Sequence, residues 1–263
     1  MPKPEKLLLG YIQIRGHALR RIFEKIRDNP KVTYAELSNQ FLVMGSNQEG
    51  RKESKASLRD YVNFLNALDM IVASGDGDDG SFRVSGKNTD LEFGLSLLGS
   101  IRKATDQSFY SLQQLLAQSD VLQWDDATLQ KEAERSLNFD FAWTHEKIAF
   151  FVNMADYLGI GKKLTSGLLN SPSENLVLGM LKQVSGDGHG FIPAKEAINK
   201  IRAQFLEPYT AKGDLYQGFQ WALEGLSQKG LVKFKLESDA TRRSEPIRVV
   251  GADVSLLGIS ART

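Results

Sequence analysis

The chain of 263 residues contains no cysteine. That absence excludes disulfide bonds, thiolate metal ligands and thiol nucleophiles. No apolar run approaches the ~18 residues that a membrane span requires. The N-terminus has only a short hydrophobic patch and no small-residue cleavage site, so we expect no signal peptide. These absences predict a soluble, cytoplasmic protein that does not interact with membranes.

A charge excess of either sign is also missing, because 33 Lys and Arg residues face 32 Asp and Glu residues. Residues 1–90 hold 14 basic and 12 acidic residues, residues 91–170 hold 7 and 10, and residues 171–263 hold 12 and 10. The ends are therefore modestly basic and the middle is acidic. Domains that bind DNA usually carry a larger basic excess. We expect contacts with phosphates only at local patches.

Motifs of known catalytic or metal-binding sites are lacking as well. His17, His145 and His189 are the only histidines, and none belongs to an HExxH motif or a nucleophile elbow. The segment GDGHG (186–190) lacks the lysine and hydroxyl residue of a P-loop. The segment GDGDDG (75–80) does not follow the spacing of an EF-hand loop. The sequence predicts no enzymatic activity, no cofactor and no metal site.

The pattern of residues 16–86 predicts a helix, a short helix, a loop at the polar stretch 45–57, a longer helix and a β-hairpin. Thr33 and Glu36 have the spacing of a capping box and mark the start of the short helix. Apolar residues recur at three-four spacing over residues 58–68, which predicts an amphipathic helix. Two alternating apolar runs flank GDGDDG (75–80) and predict the hairpin.

The same order returns in the last third of the chain. Three amphipathic runs predict helices within residues 173–228, with Ser173 and Glu174 at the start of the first. The runs LVKFKLES (231–238) and IRVVG (247–251) then predict a hairpin. The segment ALEGLSQKGLVKF (222–234) parallels VNFLNALDMIVAS (62–74) in sequence and in place.

This element order resembles the winged helix-turn-helix family, over about residues 16–86 and again at the C-terminus. VNFLNALDMIVAS (62–74) resembles the third helix of that family running into its first wing strand. In the middle, three helical runs end in FFVNMADYLGIGKK (150–163), which resembles the same transition. The following TSGLLNSPS (165–173) has the composition of a linker. The middle segment of the chain is then either a third copy of the winged-helix pattern without its wing or a helical connector.

The resemblance implies a mainly α protein with short β-hairpins, in which tandem winged-helix domains flank a helical middle segment. The predicted divisions are a winged-helix domain at 1–90, a helical middle domain at 91–170 and a winged-helix domain at 171–263. It also implies non-enzymatic binding of double-stranded DNA in an accessory or regulatory role.

In helix-turn-helix proteins the third helix enters the major groove, while other basic residues hold phosphates. Lys55, Arg59 and Asn63 lie four residues apart and share a helix face, opposite the apolar stripe. The alternative is an ordinary solvated face, since Glu53 and Asp60 lie among them. The DNA-binding candidates are Arg20, Arg21, Arg51, Lys52, Lys55, Arg59, Asn63, Lys233, Lys235, Arg242 and Arg243.

A second interpretation belongs to a different class, because winged-helix domains also act as docking modules. The chain would then be a scaffold subunit of a larger defence or chromosome-maintenance complex, with a protein partner or a second copy of itself. The acidic hairpin tip and the aromatic middle segment favour this alternative. Phe150 and Phe151 are adjacent and cannot both lie on one helix face, so we expect at least one of them to pack on a neighbouring domain or to bind a second chain.

Overall fold

A computed structural model describes residues 8–41, 48–74, 80–85, 92–186, 191–236 and 245–260. These residues form ten α-helices and eleven short strands, which pair into small antiparallel sheets. The architecture is therefore mixed α/β, with helices predominating. Within the described residues, no helix is long and apolar enough to span a lipid bilayer.

The first structural unit covers residues 16–84. Its elements are α1 (Gly16–Asp28), β1 (Val32–Thr33), α2 (Tyr34–Phe41), α3 (Gln48–Ala67), β2 (Ile71–Ser74) and β3 (Ser81–Val84). The sheet order is β1-β3-β2, and β2 and β3 pair from Ile71 with Val84 to Ser74 with Ser81. The predicted helices and hairpin are confirmed. So is the capping box, because the Thr33 N–H donates to Glu36 Oε2 at 2.8 Å and the Glu36 N–H donates to Thr33 Oγ1 at 3.2 Å. The predicted loop at 45–57 is wrong over residues 48–57, which belong to α3, and residues 45–47 lie outside the described residues.

The second unit follows α4 (Phe93–Lys103) and covers residues 108–169. Its elements are α5 (Ser108–Ser119), β4 (Gln123–Asp125), α6 (Asp126–Ser136), α7 (His145–Leu158), β5 (Lys162–Leu164) and β6 (Gly167–Leu169). The sheet order is β4-β6-β5.

Strand β6 corrects the prediction of a linker at residues 165–173. Gly167 has φ +150° and lies against the Trp124 carbonyl, where a Cβ atom would overlap the main chain. Leu168 beside it is fully buried. The small residues that suggested a linker therefore serve close packing of a strand, and the middle segment has a short hairpin of its own.

The third unit covers residues 174–259. Its elements are α8 (Glu174–Ser185), β7 (Phe191–Pro193), α9 (Ala194–Gln204), α10 (Gln217–Gln228), β8 (Val232–Lys235), β9 (Ile247–Val249), β10 (Ala252–Val254) and β11 (Leu256–Ile259). The three-stranded sheet has the order β7-β11-β8, and β9 pairs separately with β10.

The predicted C-terminal hairpin is wrong in its pairing. Strand β8 pairs with β11, not with residues 247–251. Val250 and Gly251 both have positive φ and turn β9 back onto β10, which forms an inserted hairpin. Strand β11 is the central strand of the sheet, and its Leu257 is fully buried.

One succession of elements thus occurs three times: a helix, a strand, two helices and two strands, with the last strand in the middle of its sheet. In the third unit the hairpin β9–β10 is inserted between the last two strands of this succession. A continuous apolar core joins the three units. Helix α4 packs against α5, α8 and α9, and α7 packs against α1.

Candidate nucleic-acid interface

The outer face of α3 presents polar side chains to solvent. Arg59 and Asn63 are exposed, whereas Leu58, Val62 and Leu65 are buried against the first unit's core. This division matches the two opposite faces expected from the sequence. A guanidinium and a carboxamide, four residues apart on one helix, therefore point away from the core.

Three other candidates lie on the same helix. Arg51, Lys52 and Lys55 belong to the first part of α3, but their side chains lie outside the described residues. The helical spacing still places position 55 one turn before Arg59.

Arg59 and Asn63 line a cleft of about 360 Å³ between α3, the start of α2 and the β2–β3 hairpin. The Arg59 guanidinium lies over the Tyr34 ring, 5.5 Å from its centre. The Tyr34 N–H donates to the Gly80 carbonyl at 3.2 Å, which ties the start of α2 to the hairpin. Three elements thus border the concave surface that Arg59 lines.

Arg20 lies in a different cleft. Its Nε donates to Glu24 Oε1 at 2.8 Å, and this hydrogen bond raises the pKa of Arg20. The surrounding cleft is lined by His17, Tyr157 and residues of α8, and it shares no lining residue with the cleft of Arg59. Arg21 is exposed. The structure therefore places Arg20 and Arg59 in separate clefts.

Phe150 and Phe151 are not available to a partner. They are 1% and 0% exposed. The Phe150 ring packs edge-on against Phe64 of α3 at 6.2 Å, and the Phe151 ring packs on Phe109 of α5 at 4.8 Å. The first unit covers Phe150, and α5 of the second unit itself covers Phe151, so two adjacent aromatic residues both become core. Their proposed role in partner binding is corrected accordingly.

The predicted basic face of the C-terminal hairpin is only partly assembled. Lys233 and Lys235 are exposed on the same face of β8, which is an edge strand. Arg242 and Arg243 lie outside the described residues. Arg248 belongs to the inserted hairpin, where its Nε lies 3.8 Å from Asp253 Oδ1. The two lysines remain candidates for phosphate contacts, but Arg248 does not share their strand pair.

The third helix of the C-terminal unit differs from α3 in its surface. Tyr216, which immediately precedes α10, is buried and cannot contact a base. Gln220 is held by the chain itself: Nε2 donates to the Leu215 carbonyl at 2.6 Å and Oε1 accepts from the Val250 N–H at 2.9 Å. The inserted hairpin therefore covers part of the helix face that would have to enter a groove.

No protein family model, curated protein or solved structure matches this chain. Functional inference consequently depends on the geometry of its own residues.

Sequence reasoning missed an exposed apolar surface beside α10. Trp221 on the helix, Leu236 after β8 and Val250 in the inserted hairpin are all exposed. Leu236 and Val250 line one cleft of about 420 Å³ together with Glu224 and Asp253. Trp221 lies outside the apolar stripe of α10 in the helical periodicity. This position could have indicated from the sequence that the tryptophan is exposed. The position of Val250 depends on a pairing that the sequence did not predict.

A metal centre has no support in the part of the chain that the structure describes. There, no three His, Asp or Glu residues come together as a potential metal site. His17 packs edge-on against the Tyr157 ring at 5.0 Å, and His189 lies outside the described residues.

Proposed function

We propose that this chain is a tandem winged-helix protein that binds double-stranded DNA through its first unit, in a non-enzymatic, accessory or regulatory role. The threefold occurrence of one helix-and-strand order supports the winged-helix assignment. The observation that carries the DNA proposal is the exposed pair Arg59 and Asn63 on α3, beside a cleft closed by the β2–β3 hairpin.

The mechanism is major-groove recognition by α3. A helix fits this groove and presents its side chains to the base edges. Arg59 has the geometry to bind the O6 and N7 atoms of guanine, and Asn63 the N6 and N7 atoms of adenine. Arg21 is exposed on α1 and would hold a backbone phosphate, which adds affinity without sequence preference.

The third unit contributes less to base recognition in this proposal. Gln220 is hydrogen-bonded to the inserted hairpin, and Tyr216 is buried. Lys233 and Lys235 on the edge strand remain able to contact phosphates. Contacts of this kind depend on salt and not on sequence.

The test is a fluorescence-anisotropy titration of a random 30-base-pair duplex with the wild type and two variants. Arg59→Glu should weaken binding at least tenfold, because it replaces a donor to DNA with a repelled carboxylate. Lys131→Glu carries the same charge change at an exposed position on α6 and should bind like the wild type. Equal affinity of all three proteins would contradict the proposal that α3 is the contact helix.

A second candidate function, that of a protein-docking scaffold, is favoured by the exposed Trp221 and by the cleft that Leu236 and Val250 line. Exposed apolar patches of this kind mark interaction sites in soluble proteins. Docking predicts that Trp221→Ala leaves DNA binding unchanged and abolishes association with a protein partner or a second copy. Failure of DNA binding in the wild type, together with self-association that Trp221→Ala removes, would favour this candidate.

A further inference from the structure

Two arginines, one from α4 and one from α9 of the third unit, meet where α4 packs against α5 and α9. The Nε of Arg102 in α4 donates to the main-chain oxygen of Arg202 in α9 at 3.4 Å. The Arg102 guanidinium lies over the ring of Tyr110 in α5, 4.0 Å from its centre. The Arg202 guanidinium lies 5.8 Å from the centre of the Tyr209 ring. Aromatic faces therefore hold both cations.

A buried carboxylate fixes the position of Arg202. Glu207 is only 1% exposed, and its Oε2 accepts from Arg202 Nε at 2.9 Å. Its Oε1 accepts from the Tyr209 N–H at 3.3 Å. The main chain of Glu207 exchanges two hydrogen bonds with the Gln113 side chain, at 2.8 and 3.0 Å. A residue held by this many contacts gives Arg202 a defined orientation.

The charges of this cluster do not balance. Glu207 is the ion-pair partner of Arg202, and no carboxylate among the described residues forms a salt bridge with Arg102. Both arginines use Nε for their contacts within the protein. Their terminal nitrogens have no hydrogen bond to the residues that the structure describes. The Arg202 side chain is half exposed and Arg102 is partly exposed, so solvent reaches both side chains.

The tyrosines of the cluster add no negative charge near neutral pH. Burial raises the pKa of Tyr110, and it raises the pKa of Tyr209 to about 12. The Tyr209 hydroxyl donates to Asn199 Oδ1 at 2.9 Å. Two guanidinium groups and one carboxylate thus remain, which leaves a net positive charge.

We propose that Arg102 and Arg202 form a binding site for a phosphate group. Guanidinium groups bind phosphate oxygens through paired hydrogen bonds, and arginine is favoured where such planar recognition is needed. The phosphate belongs either to a nucleic-acid backbone or to a free phosphorylated ligand. The first source rests on the proposed DNA binding, whereas the second is independent of it.

The test uses the full chain, with inorganic phosphate followed by calorimetry at low ionic strength and the 30-base-pair duplex followed by anisotropy. Arg102→Gln is the main variant, because Arg102 has no carboxylate partner among the described residues. Arg202 is left intact, since its loss would leave Glu207 buried without a counter-ion. Arg102→Lys keeps the charge but loses the paired donors. Arg135→Gln, at an exposed position on α6, is the matched control.

The site predicts that Arg102→Gln weakens the binding of at least one probe by fivefold or more. Arg102→Lys should give a smaller loss, and Arg135→Gln should match the wild type. Loss with inorganic phosphate identifies a site for free phosphorylated ligands, and loss with the duplex alone identifies backbone phosphates.

Wild-type affinity of Arg102→Gln for both probes would overturn the site. So would an equal loss in Arg135→Gln, which would indicate a general charge effect. If Arg59→Glu abolishes duplex binding while Arg102→Gln changes neither probe, the proposed function stands and this site fails. If Arg102→Gln lowers phosphate affinity while the wild type does not bind the duplex, the site stands and the proposed function fails.

Discussion

Gly16 at the start of α1 lies directly against the ring of Tyr157 in α7, so that a Cβ atom at position 16 would overlap ring carbons. The same ring packs edge-on against His17 at 5.0 Å. The first and second units therefore approach each other through a residue without a side chain. This contact helps to fix the position of α1 against α7.

Gly16→Ala should destabilise the protein by about 1–3 kcal/mol, the usual cost of overpacking a close contact. Alanine has a higher helix propensity than glycine. A loss of stability in Gly16→Ala would therefore come from the contact with Tyr157 and not from helix propensity. Gly94→Ala is the control, because a Cβ atom at that position would meet nothing within 4 Å. Urea unfolding measures both variants. Equal stability of Gly16→Ala and Gly94→Ala would show that the Tyr157 ring moves without cost.

Tyr216→Phe should leave the stability unchanged or raise it by about 1 kcal/mol. The Tyr216 side chain is fully buried, and its hydroxyl has no hydrogen-bond partner among the described residues. Burial also raises the pKa of Tyr216. An unpaired buried polar group is costly, so its removal relieves that cost. Thermal unfolding checks the prediction, and a loss of 2 kcal/mol or more would indicate a partner for the hydroxyl.

Val250→Asn should stabilise the inserted hairpin by about 1 kcal/mol. Val250 has φ +45°, a left-handed conformation that β-branched residues avoid and asparagine tolerates. The Val250 N–H would keep its bond to Gln220 Oε1, because that bond involves only the main chain of residue 250. Val72→Asn on the exposed face of β2 is the control and should lower stability. A destabilised Val250→Asn variant would mean that the valine side chain packs on a neighbour.

Stability should fall in alkaline solution partly through Tyr209. The pKa of this phenol is about 12 in the folded chain and about 10 when unfolded. The neutral phenol is therefore favoured by folding: its contribution is fully present below pH 10 and is lost as the pH rises through about 12. Tyr209→Phe should show a smaller loss of unfolding free energy between pH 9 and 11.5. An unchanged pH dependence would contradict this assignment.

Local chemistry made parts of the fold predictable from sequence. Thr33 and Glu36 satisfy each other's main-chain donors three residues apart, so a local interaction marks the start of α2. The apolar spacing of Leu58, Val62 and Leu65 likewise defines the buried face of α3. It also defines by elimination the face that carries Arg59 and Asn63.

Long-range pairing was not predictable in the same way. Strand β6 depends on the close approach of Gly167 to Trp124, and β11 takes the place beside β8 that residues 247–251 were expected to occupy. Phe150 is buried because Phe64 of another unit covers it. Arg102 and Arg202 are 100 residues apart and meet only in the folded chain. Local sequence patterns do not predict such long-range contacts.

The most direct test of DNA binding is a titration of the wild-type chain with the random 30-base-pair duplex at 50 and 200 mM salt. Binding through phosphate contacts predicts micromolar or tighter affinity at the lower salt concentration and a steep loss of affinity at the higher one, because each phosphate contact releases counterions. The slope would give the number of phosphates that the protein neutralises. Absence of binding at low salt would contradict the account and leave docking to a protein partner as the function to pursue.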